Sequence, residues 1–122
     1  MVFKLSLTFT GWKETVLHFF TQGTDGAIPG AGVIFDSAGN LYGTAEQGGN
    51  TSLCGGNGCG VVFKLSPTSG GWAETVLHTF GAVTGDVLQP AAGLVFDAAG
   101  NLYGATPIGG ANGVGTVFEV TP

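Results

Sequence analysis

The stretch Val2-Phe3-Lys4-Leu5-Ser6 occurs twice in this chain, because the same five residues return at positions 62–66. The match extends beyond the pentapeptide, since 14 of the 19 residues in 2–20 are identical to their counterparts in 62–80. Self-similarity at a fixed spacing of this kind is the signature of a repeat architecture, in which each copy is one supersecondary unit. The chain is therefore predicted to be built from repeats.

A second matching block follows the first in each copy. Residues 25–49 align with 86–110, where 14 of the 25 positions are identical, and residues 115–122 form a partial third copy. We therefore predict two repeat units, the first spanning 1–60 and the second spanning 61–122 with its terminal partial copy.

Short strand signals divide each unit. Clusters of glycine, proline, asparagine, aspartate and serine separate four apolar segments, which is the pattern of an antiparallel meander. Residues 61–65 alternate, with Val61, Phe63 and Leu65 on one face, as in a half-buried strand. Residues 92–96 are continuously apolar, which predicts an inner strand that is covered on both faces. The sequence therefore predicts an all-β fold of four-stranded antiparallel blades, as in a β-propeller.

The strand order predicts that the chain ends cut through blades, so that about two blades are present in permuted form. When the apolar strand is placed first in a blade, the chain begins at a third strand and contains one complete blade at about residues 30–80. It then ends at another third strand. Groups of two, four and three strands do not close a ring, and repeat units bury their faces only against neighbours. We therefore expect self-association through unpaired blade edges, or continuation in a longer repeat array.

A specific combination of motifs runs through the second unit. The stretch Gly93-Leu94-Val95-Phe96-Asp97-Ala98-Ala99-Gly100-Asn101-Leu102-Tyr103-Gly104 is followed by Gly109-Gly110 and by Gly115-Thr116-Val117-Phe118. With this combination the whole chain resembles the bacterial tandem repeats nicknamed GloVer, and more distantly the blades of NHL and SMP-30-like propellers. The GloVer resemblance implies a propeller-like fold, secretion or surface anchoring, and no established activity. The SMP-30-like resemblance includes some calcium-dependent lactonases.

Charge and hydropathy argue against several partners. The chain has three lysines, no arginine and a net charge of −5, so it lacks the basic cluster that binds a phosphate backbone or an anionic membrane. No apolar run approaches the roughly 20 residues of a membrane-spanning helix. The chain as written also has neither the basic leader nor the apolar segment of a signal peptide. We expect no nucleic-acid partner and no membrane insertion, and an extracellular or cell-surface location follows from the resemblance alone.

Two cysteines, Cys54 and Cys59, lie in a glycine-rich loop that is longer in the first unit than in the second. Two cysteines five residues apart are able to bend back into a disulfide, which fits an oxidising compartment. Free thiols are the alternative, whereas a zinc site would need further ligands that the sequence does not supply nearby. We predict the disulfide, with an effect mainly on loop shape, because a short loop gains little closure entropy.

The ionisable side chains recur in pairs, which favours structural roles over a catalytic set. Asp36 and Asp97 each stand in a turn, where aspartate hydrogen-bonds its own backbone, although carboxylates are also ligands that calcium prefers. The matched histidines lie mid-strand among apolar residues, where packing or edge hydrogen bonding is favoured over general-base catalysis. The matched pairs are Glu14 with Glu74, Asp25 with Asp86, Asp36 with Asp97, and His18 with His78. We predict no catalytic residues, no metal site and no cofactor, with calcium kept as the alternative.

Four aromatic residues are the candidate binding residues, Trp12 and Trp72 at the entrance to the outer strands and Tyr42 and Tyr103 in the second strands. Exposed aromatic rings stack on sugar faces, and repeated blades would make such sites multivalent. The alternative is that these rings pack between adjacent blades, which we favour.

The function predicted from these observations is that of a non-enzymatic, propeller-type repeat module that acts as an extracellular scaffold or binding surface for a protein or glycan ligand. One alternative is an SMP-30-like calcium-dependent hydrolase or lactonase, with aspartates around a central metal. Another alternative is a glycan-binding propeller that uses the exposed aromatic rings.

Overall fold

The computed structural model describes residues 1–83 and 85–122, and within them the regular structure is β-strand apart from one short 3-10 helix, Cys54–Gly56. The all-β fold is thus confirmed. The strands are β1 (Val2–Thr8), β2 (Gly11–His18), β3 (Ile34–Phe35), β4 (Leu41–Ala45), β5 (Val61–Thr68), β6 (Gly71–Thr79), β7 (Val87–Leu88), β8 (Val95–Phe96), β9 (Leu102–Thr106), β10 (Ile108–Gly109) and β11 (Thr116–Val120).

Three antiparallel sheets and one small ribbon contain these strands. Sheet I pairs β1 with β2, sheet II has the order β3-β4-β5-β6, and sheet III has the order β8-β9-β11. The sheets therefore have two, four and three strands, as the sequence predicts, and sheet II is a meander of consecutive strands. The ribbon of β7 and β10 is not among the predicted strands; it pairs Leu88 with Ile108 and Val87 with Gly109.

An aspartate turn sets the hairpin that opens sheet II. The backbone N–H of Asp36 donates to the carbonyl of Asn40 at 3.0 Å, and the N–H of Gly39 donates to the carbonyl of Asp36 at 3.1 Å. Gly39 has φ +84°, a conformation that only glycine adopts without strain. Asp97 and Asn101 form the same turn in sheet III. The repeated Asp-x-x-Gly-Asn motif is thus a hairpin turn.

The inner strand of the second unit is shorter than the sequence predicts. Of the apolar run 92–96, only Val95–Phe96 forms a strand, β8, and Val95 is exposed. The prediction of an inner strand covered on both faces is therefore wrong for this unit. Ala92 lies outside the strand, and its carbonyl accepts a hydrogen bond from the Thr44 hydroxyl of sheet II, at 3.1 Å.

Sheet II packs against both of the other sheets, because successive strand residues point to opposite faces. We define the A face of a sheet by the repeat positions of Phe63 and Leu65, and the B face by those of Tyr42 and Val62. The A face of sheet II forms one buried cluster with sheet I, and its B face forms another with sheet III. The first cluster contains Val2, Leu41, Ala45, Val61, Phe63 and Leu65; the second contains Tyr42, Cys59, Val62, Phe80, Val87, Leu94, Leu102 and Phe118.

Candidate functional site

The A face of sheet I is open to solvent. Phe3 and Leu5 occupy the same repeat positions as Phe63 and Leu65, yet they are 48% and 52% exposed, while their counterparts are fully buried. The hairpin adds two more exposed apolar side chains to this face, Leu7 and Trp12. Clustered exposed apolar side chains are typical of interaction surfaces.

The B face of sheet III is open in the same way at the other end of the stack. Val117 corresponds to Val62 at a spacing of 55 residues; it is 73% exposed, whereas Val62 is fully buried. Tyr103 is half-buried, whereas its counterpart Tyr42 is buried. The two open faces are thus the two kinds of face that meet inside the molecule, once between sheets I and II and once between sheets II and III.

A second feature lies at the junction of sheets I and II, where the structure brings together His18, Asp25 and Glu74. His18 is the last residue of β2, Asp25 lies in the loop that follows, and Glu74 projects from β6 of the neighbouring sheet. His18 Nε2 is 3.7 Å from Asp25 Oδ2 and 3.7 Å from Glu74 Oε1. The three side chains are only 12–17% exposed. The prediction that His18 lies mid-strand in apolar surroundings is therefore wrong, because the strand ends there and two carboxylates face the ring.

The loop after β2 holds the Asp25 carboxylate in place. Asp25 accepts hydrogen bonds from the Thr21 backbone N–H at 2.8 Å, from the Thr21 hydroxyl at 2.7 Å and from the Gly23 N–H at 3.3 Å. Burial alone would raise the pKa of Asp25, but these hydrogen bonds outweigh it, and the pKa is lowered. Asp25 is thus a fixed negative charge beside the histidine.

The other two members of the cluster have pKa values shifted by burial. Burial, followed by the charge of Asp25, raises the pKa of Glu74 to about 7. Burial also lowers the pKa of His18, against the opposing effect of Asp25. The His18 Nε2 and Glu74 Oε1 atoms are buried and have no hydrogen-bond partner among the described residues. The sequence predicts no metal site, whereas this structure holds a nitrogen and two oxygen donors within 4.8 Å of one another.

The Asp36 carboxylate, which is the alternative calcium ligand, accepts four hydrogen bonds from residues in and next to its own turn. Its Oδ1 accepts from the Ala38 and Asn40 backbone N–H groups, and its Oδ2 accepts from the Asn40 side chain and the Tyr42 hydroxyl. Donation by the Asn40 side chain is the main cause that lowers the pKa of Asp36 to about 2. A carboxylate has about four lone-pair sites, and all of them are taken. Asp97 has the matching set of four hydrogen bonds.

The predicted disulfide between Cys54 and Cys59 is present, with the two Cα atoms 5.4 Å apart. Cys54 is exposed at the 3-10 helix, whereas Cys59 is buried in the cluster between sheets II and III. The carbonyl of Cys59 accepts a hydrogen bond from the Gln89 N–H at 2.9 Å. The bridge thus ties an exposed loop to the core at the junction with the second unit.

The four candidate aromatic residues have different surroundings. Trp12 is 70% exposed, and Trp72 packs against the cluster between sheets I and II. Tyr42 is buried, with its hydroxyl 3.0 Å from Asp36 and its ring against Phe96, so it is not free to stack on a ligand. Tyr103 is half-buried and donates to its own aspartate turn.

A family model of the Gloeobacter/Verrucomicrobia repeat matches residues 1–122, the whole chain. The chain belongs to the Gloeobacter/Verrucomicrobia repeat family. This confirms the GloVer resemblance, and it makes the chain a repeat module. No curated protein and no solved structure matches this Gloeobacter/Verrucomicrobia repeat chain. Within residues 1–83 and 85–122, no helix has the length and hydropathy needed to cross a membrane.

Proposed function

We propose that this chain is a non-enzymatic module that stacks sheet on sheet into a propeller-like extracellular scaffold, with the loops between strands as its binding surface. The observation that carries this proposal is the contrast between matched residues. Phe3 and Val117 are exposed at the two ends of the stack, while Phe63 and Val62 at the same repeat positions are fully buried inside it.

The occupant of each open face is a further copy of the same unit. The A face of sheet I has the same residue types as the A face of sheet II. Inside the molecule, sheet I covers the A face of sheet II, so the B face of another copy fits the A face of sheet I. The B face of sheet III in turn fits another A face. Contacts between unlike faces are heterologous, and they build rings or open arrays. Propellers are rings of this kind, with about four to eight blades.

The same contrast bears on the glycan-binding alternative. Trp12 is the exposed member of the matched tryptophan pair, and Trp72 is packed where a neighbouring sheet covers it. The exposure of Trp12 therefore follows from the open A face without a sugar ligand. The hydrolase alternative needs aspartates that are free to hold a central cation, whereas the carboxylates of Asp36 and Asp97 accept hydrogen bonds within their own turns.

An extracellular location is supported by the disulfide between Cys54 and Cys59. Disulfides persist in oxidising compartments and are rare in the cytosol of mesophiles. The exposed end of the bridge shapes a loop that is shorter and has no cysteines in the second unit, so this loop differs between the units and is suited to contact a specific partner.

Two single-face variants test the stacking. Phe3→Lys places a charge on the A face, and Val117→Lys places one on the B face; both positions are exposed, so the monomer fold tolerates them. In sedimentation velocity, we expect the mass of the native chain to rise with concentration and each variant alone to stay monomeric. An equimolar mixture of the two variants should form a dimer, because one variant keeps its A face and the other its B face.

A charged substitution in an exposed loop, Ser69→Lys, is the control and should associate as the native chain does. A native chain that stays monomeric at every concentration would refute the proposal. So would a mixture that fails to form the dimer, since the contact would then not join an A face to a B face.

A further inference from the structure

The junction between sheets I and II places three donor atoms of different chemistry around one point. They are His18 Nε2, Asp25 Oδ2 and Glu74 Oε1, and they lie within 4.8 Å of one another. Each donor comes from a different segment of the chain: the end of β2, the loop after it, and β6. Three donor atoms from separate elements therefore converge on one point.

Two of these atoms lack the partner that burial demands. His18 Nε2 and Glu74 Oε1 are buried, and neither has a hydrogen-bond partner among residues 1–83 and 85–122. Their separation of 3.7 Å is too long for a hydrogen bond between them. Buried polar atoms without partners are destabilising, and each such atom in a native structure calls for an explanation such as an ion. One cation between the three donors would satisfy both atoms.

We propose that His18, Asp25 and Glu74 bind one divalent transition-metal ion, such as Zn²⁺, at the junction between two consecutive repeat units. Zinc takes histidine nitrogen and carboxylate oxygen at about 2.0–2.2 Å, which places tetrahedral ligands about 3.4 Å apart. The two distances from His18 Nε2, both 3.7 Å, need only a small inward movement of the side chains, and the third pair, Asp25 with Glu74, lies within 4.8 Å and must also draw together. Three protein ligands leave the fourth position for water.

The donor set also selects the kind of metal. Imidazole nitrogen suits zinc and its first-row neighbours, whereas calcium takes six to eight oxygen ligands. The two carboxylates supply the charge that a divalent ion neutralises. The hydrogen bonds from Thr21 and Gly23 orient Asp25, as outer partners orient the ligands of known metal sites.

The site joins two repeat units. His18 and Asp25 belong to the first unit, and Glu74 belongs to the second. The matched residues provide controls, since Glu14 lies exposed on sheet I and His78 is exposed on β6. An ion bound inside one chain needs no further copy, so this proposal goes beyond the stacking of copies and does not depend on it.

The test is titration of Zn²⁺ into the chain by isothermal calorimetry, in the Phe3→Lys background so that contacts between copies do not contribute. We expect one ion per chain. Glu74→Gln and His18→Gln should each lower the affinity at least tenfold, because each removes one of three ligands. Glu14→Gln and His78→Gln change the same residue types outside the cluster, and their affinity should stay within twofold of the parent chain.

Co²⁺ is the second probe, because its visible absorption reports a tetrahedral site. We expect bands that appear at one equivalent, that Zn²⁺ displaces, and that Glu74→Gln abolishes; Ca²⁺ should displace nothing. Urea midpoints check that each variant is folded. Absence of binding, equal binding by Glu74→Gln, or an equal loss in Glu14→Gln would overturn the proposal. Failure of the copies to stack would leave all of these readouts unchanged.

Discussion

Phe63 and Phe3 stand at the same position of two consecutive units, so their truncation to alanine measures what a neighbouring sheet contributes. Phe63 is fully buried in the cluster between sheets I and II, and its ring lies over Gly43 of the adjacent strand. Phe63→Ala removes the ring and leaves a cavity, which typically lowers the free energy of unfolding by about 3–5 kcal/mol. Phe118, the third matched phenylalanine, is also buried and should behave in the same way.

Phe3→Ala should lower the free energy of unfolding much less than Phe63→Ala. Its side chain is 48% exposed on the open A face. Full burial of a phenylalanine contributes about 1.5–3 kcal/mol, and a half-exposed ring leaves no closed cavity when it is removed. Phe3→Ala should therefore cost about 0.8–1.5 kcal/mol in the monomer, so the two variants should differ by at least about 1.5 kcal/mol.

Urea unfolding followed by tryptophan fluorescence and far-ultraviolet circular dichroism measures this difference. A slope of about 1–3 kcal/mol per molar urea converts it into midpoints about 1 M apart. The experiment is done at a concentration where the chain is monomeric, because association would add to the contribution of Phe3. Equal destabilisation by the two substitutions would refute the assignment of the A face of sheet I as an open face.

Three further outcomes follow from single features. The bridge between Cys54 and Cys59 closes only a short loop, since the cysteines are five residues apart, so its reduction should cost about 2 kcal/mol and lower the melting temperature by about 8 °C. Hydrogen-bond donors of its own turn lower the pKa of Asp36 from 3.8 to about 2. The ionised carboxylate therefore stabilises the fold above the unfolded-state pKa of 3.8, and this stabilisation is lost as pH falls through about 2. Acid titration of Asp36→Asn should show a smaller loss of stability between pH 4 and pH 2 than titration of the native chain. Gly43→Ala places a Cβ 2.6 Å from the buried ring of Phe63 and should lower the free energy of unfolding in urea by about 1–3 kcal/mol. The control is Gly32→Ala, whose Cβ has nothing within 4 Å and which should cost less than about 0.5 kcal/mol.

Local chemistry explains the part of the fold that the sequence predicts. The hydrogen bonds of the aspartate turn join residues within a stretch of five, and the alternation at residues 61–65 lies within one strand, so both are determined by the local sequence. Both recur, so the sizes and order of the three sheets follow from the repeat. The disulfide is local too, because its two cysteines share one short loop.

The missed features have no signal in the local sequence. The ribbon of β7 and β10 is two residues long on each side, too short to give a periodic signal. Ala92 lies outside the inner strand, and its carbonyl accepts a hydrogen bond from Thr44, which is 48 residues away. Tyr42 and Tyr103 stand in the same motif, and only the neighbouring sheet makes one of them buried. The sequence of a motif does not tell whether its face is covered.

The cluster of His18, Asp25 and Glu74 shows why recurrence is a poor argument against a site in a repeat protein. The three residues of the cluster all have matched copies in the other unit, His78 for His18, Asp86 for Asp25 and Glu14 for Glu74, so recurrence alone does not separate a structural residue from a ligand. What decides whether such donors meet is the face on which each one stands. Glu74 lies opposite Leu65 in the ladder and therefore on the A face, which points toward the preceding unit. Glu14 lies opposite Leu5 in the same way, so this placement on the A face belongs to the repeat.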